Sequence, residues 1–153
     1  MALTRLSNQA LPSGSVLQVV TAVQSSNNTN TSSNWTDTSL SASITPSSTT
    51  SKILVIATHP ARVLRTVSDN WLGGIKLLRD STVIGNGDSY TIGQSHLGES
   101  FDNAGTRLWW TSHELDSPSS TSSVTYKTQS LADSSGSVIT LASSRITLME
   151  IAG

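Results

Sequence analysis

Chemistry at neutral pH needs groups that move a proton, hold a metal or attack an electrophile, and this chain supplies them sparsely. Its three histidines, His59, His96 and His113, stand far apart, and none falls in a short metal-ligand spacing. His113 has acidic neighbours in Glu114 and Asp116. On a strand, however, His113 and Glu114 point to opposite faces, which works against a shared site, and no metal centre is expected there. The chain has no cysteine, so neither thiolate chemistry nor a disulfide framework is available. Serine is so abundant that a Ser/His/Asp triple can be drawn almost anywhere, and a triad is defined by geometry, not inventory. Neither a Gly-x-Ser-x-Gly elbow nor a Walker-type phosphate loop occurs.

Glycoside cleavage needs two carboxylates about 5–10 Å apart in a cleft. The one pair worth testing is Glu99 with Asp102, in the stretch 85–105, GNGDSYTIGQSHLGESFDNAG. The plainer reading is two solvated acids beside turn glycines. Asn86 and Asp88 have the residue types of a calcium loop, but too few acidic ligands follow for an EF-hand. With Tyr90 and His96 they make a polar, Gly-rich segment expected to be an exposed loop, functional or disordered. No cofactor motif is present, none is expected, and the chain is not expected to be an enzyme.

The aromatic residues carry more weight. There are four Trp against one Phe: Trp35, Trp71, Trp109 and Trp110. Adjacent Trp109 and Trp110 must face opposite sides of a strand, so one can be core while the other faces solvent or a partner. Trp is favoured in subunit interfaces and in sugar-stacking platforms. Trp35 is expected to point outward, either covering a sheet edge or making such a contact. Glu150 lies in the apolar closing stretch Ile146–Ile151. Burying it unpaired is costly, so it should meet water, the sheet edge, or an arginine such as Arg145 or Arg107, within the chain or across a subunit boundary. Leu3, Leu6 and Leu11 mark one side of an N-terminal arm, residues 1–14. It is expected either as a frayed end or as a docking arm.

These residues are positioned by strands. Ser39 to His59, SLSASITPSSTTSKILVIATH, reads as strand, turn, strand. Leu40, Ala42 and Ile44 alternate with serines, as in a half-buried strand. Pro46 lacks the N–H needed to continue the ladder. Ile53 to Ala57 is an unbroken apolar run, which suits a strand covered on both faces. Further strands are expected at Ser15–Gln24, Asn34–Ile44, Trp71–Leu78, Thr106–Leu115, Ser123–Gln129, Val138–Leu141 and Arg145–Ala152. Leu77–Arg79 should pair with Thr82–Ile84 as a hairpin. A bend is expected at His59-Pro60, a bulge or close approach at Gly73-Gly74, and a mobile loop over 25–33. The sum is an all-β, antiparallel β-sandwich, jelly-roll-like, of about eight or nine short strands in one domain, residues 15–153.

Composition fits that class. Charged residues are only 12% of the chain, and Ser plus Thr about a third. Net charge is −1, without the basic excess that nucleic-acid binding calls for. No apolar run is long enough to span a membrane, and the N-terminus lacks the apolar core of a signal peptide. The sequons at Asn27, Asn30 and Asn34 are expected by chance in so Ser/Thr/Asn-rich a segment.

The string DTSLSASITPSSTTSKILV (Asp37 to Val55) resembles a signature of small virion proteins of marine bacteriophages, cyanophages especially. Similar echoes occur in LLRDSTVIG (Leu77 to Gly85), in LDSP and VTYK between Leu115 and Lys127, and in the ending ITLMEIAG (Ile146 to Gly153). The motifs are those of strands and turns, not of an active site. The resemblance implies a compact jelly-roll-like sandwich, homotrimeric, on a tail fibre, capsid knob or other appendage. Its partners would be itself, other virion proteins and a host surface glycan, and its location the virion. Capsid decoration is the neighbouring option. The reading from a different class is a carbohydrate-binding or receptor-binding module, using exposed Trp and the Gly-rich loop.

Overall fold

The computed structural model describes residues 11–64, 71–85, 93–97, 105–132, 138–141 and 143–153. Eleven strands run in the order β1 (Val16–Val23), β2 (Asn28–Asn30), β3 (Thr36–Ile44), β4 (Lys52–Leu64), β5 (Trp71–Arg79), β6 (Thr82–Val83), β7 (Gly93–Leu97), β8 (Gly105–Asp116), β9 (Val124–Ala132), β10 (Val138–Leu141) and β11 (Arg145–Ile151). Every pairing is antiparallel. One sheet runs β1–β11–β4–β8 across, with β10 and β2 replacing β11 and β1 beside the far end of β4. The other runs β3–β9–β5, with β6 and β7 sharing the last edge.

The connectivity is that of a jelly roll. Strand β1 pairs with β11, β3 with β9, β4 with β8, and β5 with β6 and β7, so that early strands meet late ones inward to the middle of the chain. The β11–β4 and β9–β5 pairings then close each sheet. Eight principal strands carry this plan. The remaining β2, β6 and β10 are short additions.

Alternation explains the core. Leu40, Ala42 and Ile44 from β3 and Val124 and Tyr126 from β9 meet Ile53, Val55 and Ala57 from β4 and Ile146 and Leu148 from β11. Every second residue between them faces out. The pattern fails where a register shift intervenes. In β1 the shift between Val16 and Gln18 turns Val16 outward, although Gln18 and Val20 face inward. In β3 a shift between Asp37 and Ser41 accommodates Ser39 at φ 67°, and Thr36 is exposed although strict alternation with Leu40, Ala42 and Ile44 would turn it inward.

Three local expectations are corrected. No bend occurs at His59-Pro60, because β4 runs through it for 13 residues. Pro60 pairs with Trp109 on one side, and on the other it falls where the ladder passes from β11 to β10, so a missing N–H costs little. Of the two alternatives at Gly73 and Gly74, the bulge is absent, since both stay in register with β7 and β9. The segment 25–33 is pinned: β2 pairs with β10, and buried Asn30 donates from Nδ2 to the Ser130 carbonyl at 2.7 Å. Within the segment 85–105, expected as an exposed loop, strand β7 occupies Gly93–Leu97.

Two polar rows bound the core of the first sheet. At one end, register aligns Gln18, Glu150, Ile53 and Asp116. At the other, His59 stands opposite Trp110, and Ser144 and Gln24 continue the line through a backbone hydrogen bond of 2.9 Å. In the first row both carboxylates, Glu150 and Asp116, are hydrogen-bonded through both oxygens. The second holds all four buried side-chain atoms that lack a partner among the described residues: Gln24 Oε1, Ser144 Oγ and both ring nitrogens of His59. Burial pushes the His59 imidazole down to about 4.

Candidate functional site: the outer face of the β1–β11–β4–β8 sheet

The outward residues of this sheet build an apolar surface. Register places Val19 against Met149, Met149 against Leu54, and Leu54 against Leu115, a single row across four strands. The next row is Thr21, Thr147, Ile56 and His113. Val19 is 53% exposed and Leu115 55%, while Leu54, Ile56, Met149 and Ile151 are half-buried by their neighbours. Val16 and Val23 extend the surface along the β1 edge. The unbroken apolar run of β4 led to the expectation of cover on both faces. Among the described residues only the inner face is covered.

The same face carries positive charge. Lys52, Arg62, Arg107 and Arg145 are all exposed on it, without an acidic residue on this face among the described residues. Arg62 and Arg107 stand directly opposite each other on β4 and β8. Trp109, 74% exposed, is two residues from Arg107 on the same face. With Pro60 and Asn27 these residues line a depression of about 410 Å³.

The residues singled out from the sequence do not converge. Trp110 is in the core and Trp109 outside, on opposite faces of β8. Trp35 precedes β3 and is half-buried, with Lys76 Nζ 4.4 Å from its ring centroid. Trp71 opens β5 opposite Leu97, and His96 sits on β7 opposite Leu72, both with side chains outside the described ones. Leu3, Leu6, Asn86, Asp88, Tyr90, Glu99 and Asp102 also lie outside the described residues. Leu11 is half-buried beside Leu17 and the 47–51 turn. His113 is exposed and Glu114 turns the other way, as strand alternation requires. Among the described residues no group of His, Asp and Glu is placed to hold a metal.

Glu150 departs from both expectations. It is 1% exposed, and no arginine among the described residues reaches it. Its Oε1 accepts from Ser47 N at 2.7 Å, Ser47 Oγ at 2.6 Å and Ser51 Oγ at 2.7 Å. Its Oε2 accepts from Gln18 Nε2 at 2.6 Å, and Gln18 also donates to the Thr45 carbonyl. Burial alone raises a carboxyl pKa, but these donors outweigh it and hold the group below its ordinary value. The carboxylate thereby ties β1, β11 and the β3–β4 turn together. A second anchor went unread in the sequence. Arg79 Nη1 meets Asp116 at 2.8 Å, and Tyr126 donates to Asp116 Oδ2 at 2.7 Å, linking the two sheets. Burial and that carboxylate push the phenol above its usual range.

No protein-family model and no curated protein matches the chain. Among solved structures it is similar to a chain of the T13 viral particle of infectious bursal disease virus, at 13% identity and TM-score 0.36, over 88% of this chain and 35% of that one. It is also similar to a chain of the Gx strain of that virus, at 13% identity and TM-score 0.39, over 99% of this chain and 42% of that one. This chain spans less than half the length of either. Likeness of that degree adds nothing to the strand connectivity itself.

Proposed function

We propose that this chain is a bacteriophage virion structural protein, a tail-fibre, appendage or capsid-decoration subunit that works by homotrimeric assembly and not by catalysis. The observation that carries the reading is the apolar row Val19–Met149–Leu54–Leu115, uncovered by the described residues. The virion-protein motifs in Asp37 to Val55 and in the closing strand support it.

A second copy is the occupant that fits. Where all four strands run side by side, about 4.8 Å apart over roughly 25 Å, they present on the order of 500 Å², so the contact is a small one beside the ~800 Å² per partner of a standard interface. The most exposed apolar residues lie on opposite edges, Val16, Val19 and Val23 on β1 and Leu115 on β8. Two different patches on one face suit a head-to-tail contact that closes into a ring.

The chain lacks cysteine, which makes the test direct. A Val19→Cys, Leu115→Cys double variant should oxidise to a covalent trimer, while Leu115→Cys alone should stay uncrosslinked. Dimers from Leu115→Cys alone would replace the ring with a two-fold contact. Absence of any intersubunit disulfide would reject the face.

A further inference from the structure

The far end of the same face offers chemistry that assembly does not use. Arg62 and Arg107 are directly opposed across β4 and β8, where Cβ atoms sit about 4.5–5.5 Å apart. Both are exposed, and neither has a carboxylate partner among the described residues. Like charges placed so oppose each other unless an anion lies between them. An arginine fork matches a carboxylate or sulfate in a bidentate geometry. Beside this pair stands Trp109, 74% exposed, an indole that stacks on the flat apolar face of a sugar ring. Asn27, on the rim of the same depression, adds an amide able both to donate to and to accept from hydroxyls. Pro60, opposite Trp109, also lines the depression.

We infer that Arg62, Arg107, Trp109 and Asn27 form a binding site for an acidic saccharide, a sugar bearing a carboxylate or sulfate. Trp109 stacks the ring, the two guanidiniums take its anionic group, and Asn27 reads a neighbouring hydroxyl. Single-stranded nucleic acid also uses aromatic and basic groups, but it needs a charged groove that follows successive phosphates. Here only two arginines, at directly opposed positions, line the depression, in a chain of net charge −1. From Leu54 to Arg62 is eight residues along β4, roughly 26 Å, so the site is separate from the apolar row.

The test is titration of the full chain with trigalacturonate, with a sulfated galactose trisaccharide, with neutral galactotriose and with an oligo-dT, followed by tryptophan fluorescence and calorimetry. One of the two acidic trisaccharides should bind, and galactotriose should bind at least about tenfold more weakly. Arg107→Gln, Arg62→Gln and Trp109→Ala should each weaken binding by about tenfold or more, and added salt should weaken it too. The arginine variants should melt no lower than the parent, because each relieves a like-charge contact. Their native mass should be unchanged, which separates failure of this site from failure of the assembly face. Equal binding of galactotriose, tighter binding of oligo-dT, no binding of either acidic sugar, or acidic-sugar binding indifferent to all three substitutions would overturn the site.

Discussion

On the outer side of β3 and β9, successive outward residues are Asp37, Ser39, Ser41 and Ser43, then Thr125, Lys127 and Gln129. On the outer side of β1, β11, β4 and β8 the residues in register are Val19, Met149, Leu54 and Leu115. Both sheets send the same kind of residue inward, so the core does not explain the contrast. The polar face satisfies itself: Lys127 and Gln129 both reach the Asp37 carboxylate, at 3.0 and 2.7 Å, and Ser43 bonds Thr125 at 2.8 Å. The sandwich folds with serine, threonine and lysine outside one sheet. The apolar row outside the other is therefore surplus to folding and available to a partner. A charge placed in the row would be buried unpaired by such a partner, and should disrupt the contact.

The largest effect should come from reversing the contrast. Leu54→Lys with Leu115→Lys should dissociate the oligomer, seen as a fall in native mass with the melting profile of a folded domain retained. Ser41→Lys with Ser43→Lys on the polar face should leave the mass unchanged. If both pairs behave alike, the two faces are not different in kind.

Beneath the faces, the two polar rows should differ in a similar way. Glu150→Ala leaves Ser47, Ser51 and Gln18 without their acceptor, and should cost about 2–4 kcal/mol in urea unfolding. The His59 row acts through pH. The unfolded imidazole takes up a proton near 6.5, whereas the buried one does so only at about 4. Stability is thus complete above 6.5, falls by about 3 kcal/mol as pH drops towards 4, and then levels off. His59→Leu should flatten that slope in urea melts. Glu150, whose folded pKa lies below its ordinary value, is present as a stabilising anion above that value and is lost at lower pH, so its variant should remove a separate, more acid limb. The smallest effect belongs to the exposed polar cluster, where Asp37→Asn should shift stability by no more than ~1 kcal/mol.

The sequence was most legible where alternation met a covered face. Leu40, Ala42 and Ile44, or Val124 and Tyr126, announce their strands because one side is core and the other serine, threonine or lysine. The jelly roll follows from such strands and their turns. Pro60 misled because a proline is judged by the ladder it interrupts, and here it stands where one partner strand gives way to the next. Asn30 looked like loop because its burial depends on Ser130, a hundred positions away. Glu150 suggested an arginine partner, yet its donors are a backbone N–H, two serines and a glutamine, none distinctive in so serine-rich a chain. The outer face was half visible. The continuous apolar run of β4 called for cover on both sides, and Trp109 and Leu115 shared a face, but the row through Val19 and Met149 depends on register across three pairings.

Assembly through the apolar face is tested most directly by the native mass of the purified chain, by light scattering or native mass spectrometry. The prediction is a particle of three chains of 16.1 kDa each, stable to added salt because its contact is apolar. A single chain of 16.1 kDa at micromolar concentration would contradict it.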